Sequence, residues 1–211
     1  MTKRQQQQNL SQSRDGGYTI IESLVAMIVV SVLMVAIAPV MAFSVATRVQ
    51  ARRVELATQA ARAYIDALRT EALKPNDPAF PKRETANNVA NALAPAKDIN
   101  SLYCFDMDDT PKCQPSSNKD FVVQGAWRNP DPTITPTDPS TKGYELMVRV
   151  YRADSFAPDA PALRAPKDLP KQSIVGAGLG DRSVPVVEMT TEIPASGDPS
   201  YKSIFDRLKK P

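Results

Sequence analysis

The 211-residue chain contains no histidine. That removes the commonest general base and the commonest transition-metal ligand together, and the expectation is a protein that is not an enzyme and carries no cofactor. Glycine is scarce: there are eight, and none lies between Tyr18 and Gln124. Proline is nearly absent from the first 74 residues, where Pro39 stands alone; the other 18 of 19 fall at Pro75 or later. Charge is missing from Ser23 to Ala46, a run of 24 residues. The net charge of +3 is small and the basic residues are spread along the chain, so no concentrated basic face marks a nucleic-acid partner. Only two cysteines occur, Cys104 and Cys113. Two thiols without a histidine make a weak zinc site, and no metal is expected.

These absences divide the chain into one long uninterrupted segment and a loop-rich remainder. The expected organisation is a polar leader over 1–17, a transmembrane helix over 18–46, an amphipathic helix over 47–74, and a proline-rich β head over 75–211. The leader, "MTKRQQQQNLSQSRDGG", carries Lys3, Arg4 and Arg14 against Asp15. A basic segment ahead of an apolar run stays in the cytoplasm, which predicts a single pass through the inner membrane with the head outside the cytoplasm. Composition alone leaves open whether these residues are a disordered tail or a processed leader. The uncharged run is long enough to cross a hydrocarbon core of about 30 Å. Beyond it, Val49, Leu56, Ala60, Tyr64, Leu68 and Ala72 recur every three to four residues among charged neighbours, predicting an apolar stripe that packs against the head. A helix from Tyr18 to Leu73 is expected, with Pro39 loosening or kinking it. A competing reading is a secretory signal cut after Ser44-Val45-Ala46; the apolar run is longer than such a signal needs, and the polar segment before it is unusually long.

The stretch "GYTIIE" ahead of an apolar helix resembles the class III signal of type IV pilins and pseudopilins. The resemblance covers Met1 to about Leu73. It implies cleavage after Gly17 by a prepilin peptidase and methylation of the new amino terminus at Tyr18. It places Glu22 at the family's glutamate position, which implies pairing with the new terminal amine, either within the subunit or, as in the family, on a neighbouring subunit during assembly. Pro39 stands where many pilins carry a helix-loosening proline, whereas Ser31 stands where members often have glycine, which puts a second break in doubt. The partners implied are other pilins or pseudopilins and the assembly machinery. In this reading an acid that would cost about 2.5–3.5 kcal/mol in a membrane segment is offset by a cation. The other reading is a lone acid reaching back to the interface.

In the head, "FVVQGAW" (Phe121 to Trp127), "YELMVRVYR" (Tyr144 to Arg152) and "SVPVVEMTTEI" (Ser183 to Ile193) read as strands. The second alternates Tyr144, Leu146, Val148 and Val150 against Glu145, Met147, Arg149 and Tyr151, a half-buried strand pattern. The fold class expected is α+β, with a small antiparallel sheet laid on the amphipathic half of the helix, as the pilin resemblance also implies. Outside the cytoplasm, Cys104 and Cys113 are expected to form a disulfide. Between them Asp106, Asp108 and Asp109 offer oxygens at alternate spacing, but no glycine or distal glutamate completes a known calcium loop, and a solvated acidic turn is expected. "GAGLGDR" (Gly176 to Arg182) follows no clear strand and opens no helix, so it reads as a linker and not a phosphate loop. The tail "YKSIFDRLKKP" reads as a short amphipathic helix or a frayed end.

The leading functional expectation is a structural one: a minor pilin or pseudopilin incorporated into a fibre. The combination of "CFDMDD", "VVQGAWRN" and "YELMVRVYRAD" resembles the cyanobacterial pseudopilins of hormogonium polysaccharide secretion, which implies polysaccharide export supporting gliding. Alternatives are a type II secretion pseudopilin, and a membrane-anchored module whose head binds a glycan or surface. A hydrolase using Asp108 with Glu188 is the weakest reading, lacking any nucleophile motif.

Overall fold

The computed structural model describes residues 19–85, 88–108, 110, 112–129, 139, 143–165, 180–196 and 205. The leader, Gly17 and Tyr18 lie outside the described residues, as do Asp109, residues 176–179 of the glycine-rich stretch and all of the tail but Phe205. The chain divides into two units, Met1–Ser44 and Val45–Pro211. Helix α1, Ile20–Arg69, contributes to both. It ends short of the expected Leu73, because Glu71 takes a left-handed φ of 56° and the Leu73 N–H turns back to the Ala67 carbonyl at 3.1 Å. That is a helix stop made without the glycine that such a position favours.

The second unit is built on a five-stranded sheet: β1 (Lys82–Arg83), β2 (Tyr103–Phe105), β3 (Phe121–Arg128), β4 (Tyr144–Arg152) and β5 (Val187–Ile193). β3 pairs antiparallel with β4 along its whole length, from Phe121↔Arg152 to Arg128↔Glu145, and β4 pairs antiparallel with β5. The other side of β3 is shared. β2 pairs antiparallel at its start, Phe105↔Phe121, and β1 pairs parallel near its end, Arg83↔Trp127. The α+β expectation holds, but the sheet is mixed and not purely antiparallel. The two additional strands are two and three residues long, too short to show a period.

The sheet's pleat sorts its side chains. Phe121, Val123 and Trp127 of β3, Tyr144, Leu146, Val148 and Val150 of β4, and Ile193 of β5 form one buried face with Ala57, Ala60, Ala61, Tyr64, Ile65 and Leu68 of α1. Of the expected helical stripe, Ala60, Tyr64 and Leu68 are buried and Leu56 packs against this face, whereas Val49 and Ala72 are exposed; Ala57, Ala61 and Ile65 widen the buried stripe. Beneath the Tyr64 side chain, β3 carries Gly125. A Cβ there would come within 2.3 Å of the Tyr64 hydroxyl and 2.9 Å of Pro81 Cβ. The opposite face is also covered. Val122 and Tyr151 meet Cys113, Ala153 and Phe156, while Ala126 and Met147 meet Val89 and Ala92 from the 3-10 turn Val89–Asn91. The alternation of β4 thus marks two buried faces, with Arg149 fully buried on the second.

Burial raises the phenols of Tyr64 and Tyr144 above the ordinary value and pushes Tyr151 up to about 12. The folded state holds these protons more tightly than the unfolded chain. Their stabilisation is therefore complete below about pH 10 and is lost as pH climbs through the folded values. The head's melting temperature, followed by circular dichroism, should fall once pH passes about 10. Tyr151→Phe should flatten that fall, and an unchanged slope in the variant would exclude Tyr151 as a contributor.

Candidate functional site

Helix α1 starts on a side-chain cap. The Glu22 N–H donates to Thr19 Oγ1 at 3.3 Å and to the Thr19 carbonyl at 3.0 Å. Thr19-Ile20-Ile21-Glu22 has the spacing of a capping box, with the acid at the third helical position. A carboxylate in the first turn also meets the positive end of the helix dipole. Glu22 is thus the acid nearest the helix start, and its backbone is held there by Thr19.

From Ile20 to Val45 every Ile, Leu, Val, Met and Phe is exposed, from Val29 at 51% to Ile20 at 88%. A helix apolar around its whole circumference belongs in lipid or among other helices, and this one is long and apolar enough to cross a membrane. The helix runs unbroken through Ser31, whose hydroxyl donates to the Met27 carbonyl at 2.7 Å. It also runs through Pro39, where the missing N–H removes the donor to the Val35 carbonyl. The helix is thus continuous at both positions, and Pro39 differs from Ser31 in lacking the backbone donor.

In the head, Cys104 and Cys113 are joined by a disulfide. It closes a loop whose carboxylates take an arrangement different from the expected one. Asp106 and Asp108 are joined by Asp120, with one oxygen of each lying within 4.8 Å of the others. Asp120 escapes a reading of "DMDDT" because it is distant in sequence; the register Phe105↔Phe121 sets it opposite Asp106. Hydrogen bonds from Thr110 and Ser117 hold the Asp108 carboxyl below the usual range. The suggested acid pair Asp108–Glu188 is not brought together. Two strands separate β2 from β5, about 14 Å at the usual strand spacing, and Glu188 Oε2 accepts from Arg149 Nε at 2.5 Å.

Arg149 is the other residue the sequence conceals. Its Nη1 donates to the Ala92 carbonyl at 2.6 Å and its Nη2 to the Ala90 carbonyl at 2.8 Å, so one guanidinium ties β5 and the 88–92 segment to β4. Its register partner across β5 is Glu188; an arginine and a glutamate in two predicted strands was the only available signal.

No curated protein and no solved structure matches the chain. A family model described as the prokaryotic N-terminal methylation motif matches residues 12–38, a span that holds Gly17, Tyr18 and Glu22 and ends just before Pro39. Such a motif implies processing by a prepilin peptidase, assembly with other pilins, and anchoring in a membrane. The chain carries, at its amino terminus, the prepilin-type signal of type IV pilin-like proteins.

Proposed function

We propose that this protein is a structural subunit, a minor pilin or pseudopilin, cut after Gly17, methylated on Tyr18 and incorporated through α1 into a pilus-like fibre. The observation that carries the reading is the methylation motif over residues 12–38 leading directly into a helix whose apolar residues are exposed on all sides. Cleavage at that bond creates a cationic amine four residues from Glu22. A carboxylate entering an apolar bundle is penalised when unpaired and much less so when paired, so the acid rewards only those packings that bring an amine to it. The subunit's work in this reading is mechanical, with partners of its own kind and an assembly motor. The resemblance of the head segments to pseudopilins of polysaccharide secretion supports export, and with it gliding, as the process served.

The intact mass of the mature protein tests the class. The expected species begins at Tyr18 and carries one methyl group; a start at Thr47 or at Met1 would overturn the reading. Glu22→Ala should then reduce incorporation into fibres at least about tenfold, the equivalent of roughly 1.4 kcal/mol, while the circular dichroism of the head stays unchanged. Normal assembly of that variant would dispose of the charge-pairing argument.

A further inference from the structure

The mouth of the disulfide-closed loop holds more negative charge than the fold neutralises. Asp106 and Asp108 follow β2 and Asp120 precedes β3, so the register that pairs Phe105 with Phe121 sets Asp106 across from Asp120. Like charges opposed on adjacent strands destabilise a sheet. None of the ion pairs among the described residues involves any of the three. Asp120 is the decisive member. It is fully buried, its Oδ1 accepts the Met107 N–H at 3.0 Å, and its Oδ2 is buried with no hydrogen-bond partner. An ionised carboxylate oxygen buried without donor or cation carries a penalty that native structures rarely leave uncompensated. Its carboxylate lies within 4.8 Å of an oxygen from each of Asp106 and Asp108.

The remaining contacts hold the cluster in place. The Asp108 N–H donates to Asp106 Oδ1 at 2.9 Å. Asp108 Oδ1 accepts from the Thr110 hydroxyl at 2.5 Å and its Oδ2 from the Ser117 hydroxyl at 2.8 Å. Ser117 Oγ in turn accepts from the Asp120 N–H at 3.3 Å. Asp108 Oδ1 also accepts the Thr110 N–H at 3.3 Å, which uses both its lone pairs. Asp106 Oδ1, Asp108 Oδ2 and Asp120 Oδ1 each keep one for a cation, and Asp120 Oδ2 keeps both.

We propose that Asp106, Asp108 and Asp120 bind a calcium ion that neutralises the buried Asp120 and locks the loop between β2 and β3. The donor set is all oxygen, which selects a hard cation over zinc or copper. Two loop segments with irregular geometry suit calcium, which tolerates six to eight ligands in a flexible shell; magnesium demands a near-ideal octahedron and gives up water reluctantly. The inference goes beyond the assembly role and does not depend on it.

The test uses the full chain in detergent micelles, treated with chelator and then titrated with CaCl2 or MgCl2. One calcium should bind per chain with a Kd of about 10⁻⁴–10⁻³ M, the range of extracellular modules. At about 5 mM, CaCl2 should raise the head's melting temperature by roughly 3–8 °C, with a smaller shift for MgCl2. Asp120→Asn removes the buried charge, so in chelator it should melt at or above the wild-type temperature yet show no calcium shift. Asp106→Asn, at an exposed position, gives the same readout should the buried variant fail to fold. A wild-type protein indifferent to calcium, an equal response to magnesium, or a full calcium shift in the Asp106→Asn variant would each overturn the proposal.

Discussion

Arg149→Met should lower the stability of the head by about 3–5 kcal/mol, the cost of stripping one partner from a buried ion pair. The guanidinium is fully buried and all three of its nitrogens donate: to Glu188, to Ala92 and to Ala90. Methionine fills much of the volume but leaves a carboxylate and two carbonyls without their donors, and each orphaned acceptor costs about 1–3 kcal/mol. For a unit of this size the melting temperature should fall by roughly 6–20 °C. Arg149→Lys should recover only part of the loss, because a single ammonium cannot span three acceptors in the plane of a fork. Adding Glu188→Gln to Arg149→Met should restore about 1 kcal/mol or more by removing the unpaired charge. A loss under 1 kcal/mol in the single variant would show that the 88–92 segment is held by apolar contacts with Val89 and Ala92 alone.

That residue also shows where sequence reading stops. The apolar run and the motif at Gly17, Tyr18 and Glu22 are legible because both are local: one is a matter of length and composition, the other of fixed spacing over a few residues. The strands at Phe121 and Tyr144 are legible for the same reason: the first is a short run of β-branched and aromatic residues, and the second carries period-two alternation, each written along a single segment. What pairs with what is not local. β1 is two exposed basic residues whose strand character comes wholly from lying beside Ala126 and Trp127, and nothing in "KR" announces it. Arg149 reads as the polar face of a half-buried strand until the 88–92 segment is laid over it. Asp120 reads as a loop acid until β2 and β3 come into register.

The same distinction separates the two halves of the functional argument. The matched N-terminal methylation motif ends at residue 38, inside the apolar helix. The head lies wholly beyond it. Whatever is particular to this protein therefore rests on the head's own geometry: the cover over Arg149, the carboxylates at the mouth of the disulfide loop, and the seating of the sheet on alanines of α1. Under the proposed function, Glu22 variants should therefore impair assembly without unfolding the head, and head variants should unfold it without touching the matched motif.

Gly125→Ala tests the last of those features and should cost about 2–5 kcal/mol. The added methyl would stand 2.3 Å from the Tyr64 hydroxyl and 2.9 Å from both Tyr64 Cε1 and Pro81 Cβ. Tyr64 is fully buried and donates its hydroxyl to the Ala79 carbonyl at 2.9 Å, and its ring lies 5.2 Å from that of Tyr103, so it has no open space to move into. Overpacking of this kind costs about 1–3 kcal/mol, and displacing the hydroxyl from its acceptor adds about 1–2 kcal/mol. Tyr64→Phe removes the closest atom while keeping the ring. The double variant should be more stable than the sum of the two single losses by at least about 1 kcal/mol, measured as a double-mutant cycle on chemical denaturation. Strict additivity would mean that the helix shifts on the sheet to admit the methyl, and that the glycine in "VVQGAW" is tolerated there and not required.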